Sequence, residues 1–251
     1  HEATRTLLDK DGKARYKKRF AIKEIRIDAQ PLIQPGQTAI QKKGMYERFL
    51  TEVELIAKLD HDNIVKIIDF GERENGTVFY IMEYLDGKDL QDVISKDGPL
   101  PWEHARRLML QVCSALEAAH EHEEDGVQRA IIHSDIKPMN IFITVDSEGN
   151  QRVKVLDFGL AKIHAPSERS EQKKGDVSGT PDYMAPEQAR GEVADQRSDI
   201  YSLGTVMHQA LTSWPPFMFA PEKEETDFPD TNAYSRYVGK ELEAFFELVF
   251  T

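Results

Sequence analysis

Ile131-Ile132-His133-Ser134-Asp135-Ile136-Lys137-Pro138-Met139-Asn140-Ile141-Phe142-Ile143 is the stretch that decides the reading. An apolar run enters it and an apolar strand pattern leaves it. Between them, on a loop, sit a histidine, a carboxylate, a lysine and an amide. A polar loop capping a hairpin does not explain so many functional side-chain types crowded together. Asp135 can accept a proton from a hydroxyl or orient it. The amide oxygen of Asn140, five residues on, can bind a hard cation such as Mg²⁺. A hairpin follows, with Ile141–Val145, the turn 146–150 and Val153–Leu156. At its far end stands Asp157-Phe158-Gly159, a second oxygen ligand beside a glycine that permits a sharp turn.

The pattern changes on either side. Upstream, Arg19–Ile27 alternates as a strand and places Ala21, Lys23 and Ile25 on one face. A small residue there can lie against a flat ligand while the ammonium reaches along it. Tyr46–Leu59 has helical spacing, with Glu52 at the border of the face marked by Phe49, Val53 and Ile56. Two further strands are predicted around Ile64–Phe70 and Val78–Tyr84. Beyond Gly87 longer helices are predicted, first over Pro101–His122 and then from Asp199 to Leu211, with Asp199 as a helix-start residue. A polar loop spans Ala165–Gly179, and Gly179-Thr180-Pro181-Asp182-Tyr183-Met184-Ala185-Pro186-Glu187 closes it. Cys113 reads as core. His120–Asp125 reads as a solvated charge run at a helix end.

Composition excludes whole classes. The chain has 251 residues and a net charge of −12, which disfavours a nucleic-acid binder held by a broad basic surface. One cysteine rules out a disulfide scaffold. No apolar run reaches membrane-spanning length. A cytoplasmic setting is expected, including as the cytosolic part of a longer or membrane-anchored chain.

The ordered set Ala21-Ile22-Lys23, Glu52, His133-x-Asp135, Asn140, Asp157-Phe158-Gly159, Ala185-Pro186-Glu187 and Asp199 resembles the protein-kinase signature. Its texture is most similar to bacterial Hanks-type serine/threonine kinases, including Leu59-Asp60-His61-Asp62-Asn63-Ile64-Val65 and Met82-Glu83-Tyr84-Leu85-Asp86-Gly87. The resemblance implies an α+β fold of two lobes. Residues 1–85 would form a small antiparallel β-rich lobe with one key helix, and residues 86–251 a larger, mainly helical lobe.

The resemblance also implies roles. Lys23 would hold the α- and β-phosphates of ATP and pair with Glu52. Asp135 would be the base or hydroxyl-orienting residue, and Lys137 would steady the γ-phosphate. Asn140 and Asp157 would bind Mg²⁺. Met82 would be the gatekeeper, Glu83 and Leu85 would offer hinge backbone to adenine, and Asp89 would contact the ribose. Ala21 and Phe142 would sandwich the adenine, with Ala3 as a third wall. Thr180 and Glu187 would shape the peptide platform; Ser167, Ser170 and Ser178 are loop hydroxyls open to modification. His133, Phe158 and Asp199 would be structural. Protein substrates with Ser/Thr acceptors, autophosphorylation and a homodimer through the small lobe are further expectations, with no nucleic-acid or membrane contact from this domain.

Three departures qualify the resemblance. No G-x-G-x-x-G precedes Lys23, and the expectation is that it lies upstream of His1. Serine replaces the usual arginine before Asp135, which removes the usual partner of a loop phosphate. The arginine that would pair with Glu187 is expected beyond Thr251, with the last helices. Two competing readings are a pseudokinase scaffold, opposed by the intact set from Lys23 to Asp157, and a small-molecule kinase, opposed by the 180–187 segment.

Overall fold

The computed structural model describes residues 2–8, 14–25, 50–51, 53–73, 77–124, 126–158 and 181–216. Its first sheet holds strands β1 (Glu2–Leu8), β2 (Ala14–Ile25), β3 (Ile67–Glu72) and β4 (Val78–Glu83), in the order β1-β2-β4-β3. All of its neighbouring strands run antiparallel. Ala21 lies opposite Met82 and Lys23 opposite Tyr80. Alternation buries Val78 and Tyr80. Helical residues 50–51 and 53–57 (α1) turn Val53 and Ile56 into the core. Residues 26–27 and 46–49, the outer parts of the predicted strand and helix, lie outside the described residues.

Strand β3 begins three residues later than the alternation predicts, because the preceding segment pairs elsewhere. Ile64 bridges Val155 in parallel, and Val65 N–H donates to Val155 O at 3.0 Å. Val155 N–H returns a bond to Asn63 O at 2.8 Å, and Asn63 Nδ2 donates to Val153 O at 2.9 Å. This staple joins the β-rich part to the helical part.

The rest is built around helices. A short strand β5 (Gly87–Asp89) leads into α2 (Leu90–Asp97), then α3 (Trp102–His120). Helix α3 buries Ala105, Leu108, Met109, Val112, Ala115, Leu116 and Ala119, a stripe at three- and four-residue spacing. Burial of each leucine contributes on the order of 2 kcal/mol. Strands β6 (Glu123–Glu124) and β7 (Val127–Gln128) form a small hairpin. Strands β8 (Ile141–Val145) and β9 (Gln151–Val155) join β5 in a second antiparallel sheet, in the order β5-β8-β9. Gly87 is needed there, since a Cβ would sit 2.0 Å from Ile143 O. Helices α4 (Pro186–Ala189) and α5 (Gln196–Thr212) follow. One continuous core runs from Val53 and Ile56 through Ile64, Val155 and Phe158 to Leu116 and Val206. A β-rich lobe with one helix beside a mainly helical lobe is the expected fold class.

Three expectations are corrected. Helix α5 begins at Gln196, and Asp195 is its N-cap, accepting from Arg197 N–H at 2.8 Å. Asp199 therefore sits inside the first turn and is fully buried, not at the helix start. Cys113 is exposed, since the buried stripe runs through Val112 and Leu116, both on the same side of it, and Cys113 falls just off that stripe. The His120–Asp125 run is solvated only in part: Glu121 and Glu123 are exposed just beyond α3, but His120 is buried against Asp199 and Glu124 lies in the β6–β7 hairpin, paired with Lys58 and Arg129. Among the described residues no helix is long and apolar enough to cross a membrane.

Candidate active site

The loop between Ile132 and β8 is shaped from beneath by one carboxylate. Asp199 Oδ2 accepts His133 N–H at 2.8 Å and His120 Nε2–H at 2.8 Å, and Oδ1 accepts Ser134 N–H at 2.7 Å. Three donors offset the cost of burying this group. Ser134 is held at φ 64°, a left-handed conformation uncommon outside glycine and asparagine. His133 Nδ1 accepts Asp135 N–H at 3.2 Å, so the ring proton is on Nε2, which donates to Leu156 O at 2.8 Å. The ring packs against Phe158 with centroids 4.7 Å apart. The turn after Ile132 thus orients Asp135 while His133 and Phe158 stay buried.

Asp135 faces two donors. Lys137 Nζ pairs with its Oδ2 at 2.7 Å, and Asn140 Nδ2 donates to its backbone carbonyl at 2.8 Å and to Oδ2 at 3.2 Å. The 3₁₀ turn Pro138–Asn140 places Asn140 beside β8. Ile141 pairs with Val155 in the β8–β9 ladder, and Leu156 N–H donates to Asn140 O at 2.8 Å. The ladder therefore brings Asn140 and Asp157, 17 residues apart, to adjacent strand ends.

Asp157, at φ 60°, is reached from the first sheet. Lys23 Nζ pairs with its Oδ2, and the Tyr80 hydroxyl donates to Oδ1. Lys23 and Tyr80 are directly opposed across β2 and β4, so one register places both donors. Burial, and then the Asp157 charge, push the Tyr80 phenol far above its ordinary value. Because the folded group is harder to ionise, its stabilising contribution is complete below about pH 10 and declines above it. Tyr80→Phe is expected to cost about 1–2 kcal/mol in urea unfolding at pH 7 and to lessen the alkaline loss. No change in either would show that the bond contributes nothing.

The donor chemistry fits Mg²⁺. Asn140 turns its Nδ2 toward Asp135, leaving Oδ1 with no hydrogen bond among the described residues, and Asp157 supplies carboxylate oxygens. Among the described residues no cluster of three or more His, Cys, Asp or Glu could hold a metal. Two side-chain oxygens completed by phosphates and water suit this ion.

The other predicted residues divide. Ala21 and Met82 oppose each other, and Phe142 lies on β8 opposite Asp89. Ala3 is opposite Phe20 on β1. Glu83 N–H is given to Lys66 O at 3.0 Å, so the carbonyl is the only backbone group it could offer a ligand. Its carboxylate pairs with Lys154 at 2.8 Å. Leu85 is half-buried beyond β4. Asp89 caps α2 by accepting Asp92 N–H at 2.8 Å. Glu187 accepts from Ser198 Oγ. Tyr183 donates to Gln209 Oε1 at 2.6 Å, and its burial, reinforced by Asp182, raises its pKa to about 12. Glu52, Ser167, Ser170, Ser178 and Thr180 lie outside the described residues. Tyr80 and His120 are among the contributors that local sequence patterns do not single out. Tyr80 carried a signal, since a tyrosine at a buried strand position needs a partner for its hydroxyl. His120 sat in a run read as solvated.

Comparison with known proteins relates the chain to a family and a fold. The family described as "Protein kinase domain" matches residues 11–240. The chain is 44% identical over 178 residues to serine/threonine-protein kinase PknB of Mycolicibacterium smegmatis, covering 70% of this chain and 27% of that protein. It is 35% identical over 209 residues to serine/threonine-protein kinase pkn3 of Myxococcus xanthus, covering 82% of this chain and 37% of the relative. The chain thus spans well under half the length of these relatives. In fold it is similar to the crystal structure of the Mycobacterium tuberculosis PknI kinase domain, with a TM-score of 0.65 at 24% identity, covering 93% of this chain and 77% of that one.

Proposed function

Because this chain belongs to the protein kinase domain family, we propose that it transfers the γ-phosphate of ATP to serine and threonine hydroxyls of proteins, itself included. The observation that carries the proposal is the meeting of Asp135, Lys137 and Asn140 with Asp157 and Lys23 at the ends of β8 and β9. In this reading the acceptor hydroxyl loses its proton to the Asp135 carboxylate as its oxygen bonds to the γ-phosphorus. The bond from that phosphorus to the ADP oxygen breaks. Lys137 steadies the γ-phosphate and Lys23 the α- and β-phosphates. Glu52 would be the partner of Lys23 in the nucleotide-bound form. Asn140 and Asp157 would hold Mg²⁺, which would supply charge neutralisation.

Ala21 and Phe142 would flank the adenine, with Ala3 as a third wall. Met82 would act as gatekeeper, the backbone at Glu83 and Leu85 would meet the base, and Asp89 would contact the ribose. Lys137 and the 179–183 segment favour serine and threonine over tyrosine. The lobes divide between residues 85 and 86. A small-lobe homodimer and a place as the cytosolic part of a longer chain belong to the same proposal.

Radiolabelled transfer from ATP to a generic protein substrate, wild type against Asp135→Asn, tests it. ATP binding without transfer by the wild type would sink it. Ser134 offers no charge to a loop phosphate. Phosphatase treatment is therefore expected to change the rate by less than about twofold, within one ordinary exposed charge contact. A loss of tenfold or more would refute that independence.

A further inference from the structure

We propose that Gln188 is a positioning residue that fixes the catalytic loop from the peptide-platform side. This rests on the kinase reading above. Gln188 is the third residue of α4. Its Oε1 accepts Ala185 N–H at 3.0 Å, and its Nε2 donates to Ser134 O at 2.9 Å. A backbone N–H can only be met by the amide oxygen, and a carbonyl only by the amide nitrogen, so the two partners fix the orientation of the side chain.

Ser134 immediately precedes Asp135 and is held in the left-handed region. Its buried Oγ has no hydrogen-bond partner among the described residues. Its peptide groups are what tie it down. The N–H goes to Asp199, and the carbonyl goes to Gln188. Rotation of the 134–135 peptide would carry Asp135 with it, and Gln188 at its carbonyl, with His133 Nδ1 at its N–H, opposes that rotation. The same side chain caps α4, directly after the Tyr183–Ala185 segment that α5 anchors through Gln209 and Ser202. Gln188 therefore links the platform that would receive the peptide to the residue that would receive its proton. The link is uncharged.

Gln188→Glu separates the clamp from the cap. Glutamate serves equally well at the third position of a capping box, so the bond from Ala185 N–H survives. The donor to Ser134 O is lost, and a carboxylate oxygen faces that carbonyl instead. In the whole 251-residue chain, Gln188→Glu is expected to lower kcat about tenfold, the effect of one lost hydrogen bond. The KM for ATP should stay near wild type, and the thermal midpoint should fall by no more than a few degrees. Amide exchange across residues 131–136 should become several-fold faster. Gln188→Ala should show the same kcat loss together with a lower thermal midpoint. Wild-type kcat and exchange in Gln188→Glu would overturn the inference. So would a kcat loss that tracks the thermal midpoint with unchanged exchange. If the wild type transfers no phosphate, the kinase reading falls, and the exchange measurement still decides the clamp.

Discussion

Asp135→Asn should reduce phosphate transfer by about 10²–10⁴-fold, the span of a lost general base. Asparagine keeps the size of the side chain and an oxygen toward Lys137, whose Nζ is 2.7 Å from Asp135 Oδ2. The backbone bonds of position 135, from its N–H to His133 Nδ1 and from Asn140 Nδ2 to its carbonyl, do not involve the carboxylate. Fold and ATP affinity should therefore survive. What disappears is the basic oxygen. The assay is initial-rate transfer at saturating ATP, paired with a binding titration of both proteins. Retention of more than a tenth of wild-type turnover would exclude Asp135 as the proton acceptor. A parallel fall in ATP affinity would mean that the residue acts on the nucleotide instead.

Asp199→Asn should cost about 3 kcal/mol or more of stability and abolish most transfer along with it. The carboxylate accepts three N–H groups, from His120, His133 and Ser134, while fully buried. An amide presents an NH₂ where at least one of those donors points, so a buried donor goes unsatisfied and two donors oppose each other. Ser134 would then lose its amide anchor, and its φ of 64° would no longer be held from below. Urea unfolding gives the stability change, and the remaining activity of the folded fraction reads the loop. A change below about 1 kcal/mol would show that the three bonds are replaceable by water.

The stretch 131–143 made most of the site legible before any coordinates. Its crowding of His133, Asp135, Lys137 and Asn140 between apolar strands is a local pattern, and hairpin pairing follows from the alternation of β8 and β9. The stripe of α3 was equally visible in its spacing. Local patterns failed where a partner lies far along the chain. Tyr80 meets Asp157 across 77 residues, Gln188 meets Ser134 across 54, and His120 meets Asp199 across 79. Local pattern places the start of α5 at Asp199, because a helix-start aspartate is the common case, whereas Asp195 four residues earlier is the N-cap. Cys113 was assigned to the core because one helical step separates a buried from an exposed position, and periodicity alone leaves that border loose.

The sequence by itself determined the fold class, the family and the chemical types gathered near Asp135. Those follow from periodicity and from motifs whose order and spacing are read along one chain. Only the tertiary structure decided which groups hold that chemistry in place. The opposed register of β2 and β4 aims Lys23 and Tyr80 at one carboxylate, and the depth of α5 turns Asp199 from a cap into a buried anchor. The physical reason is that a buried polar atom must find its partner in space. That partner can come from any part of the chain, and nothing in local spacing names it.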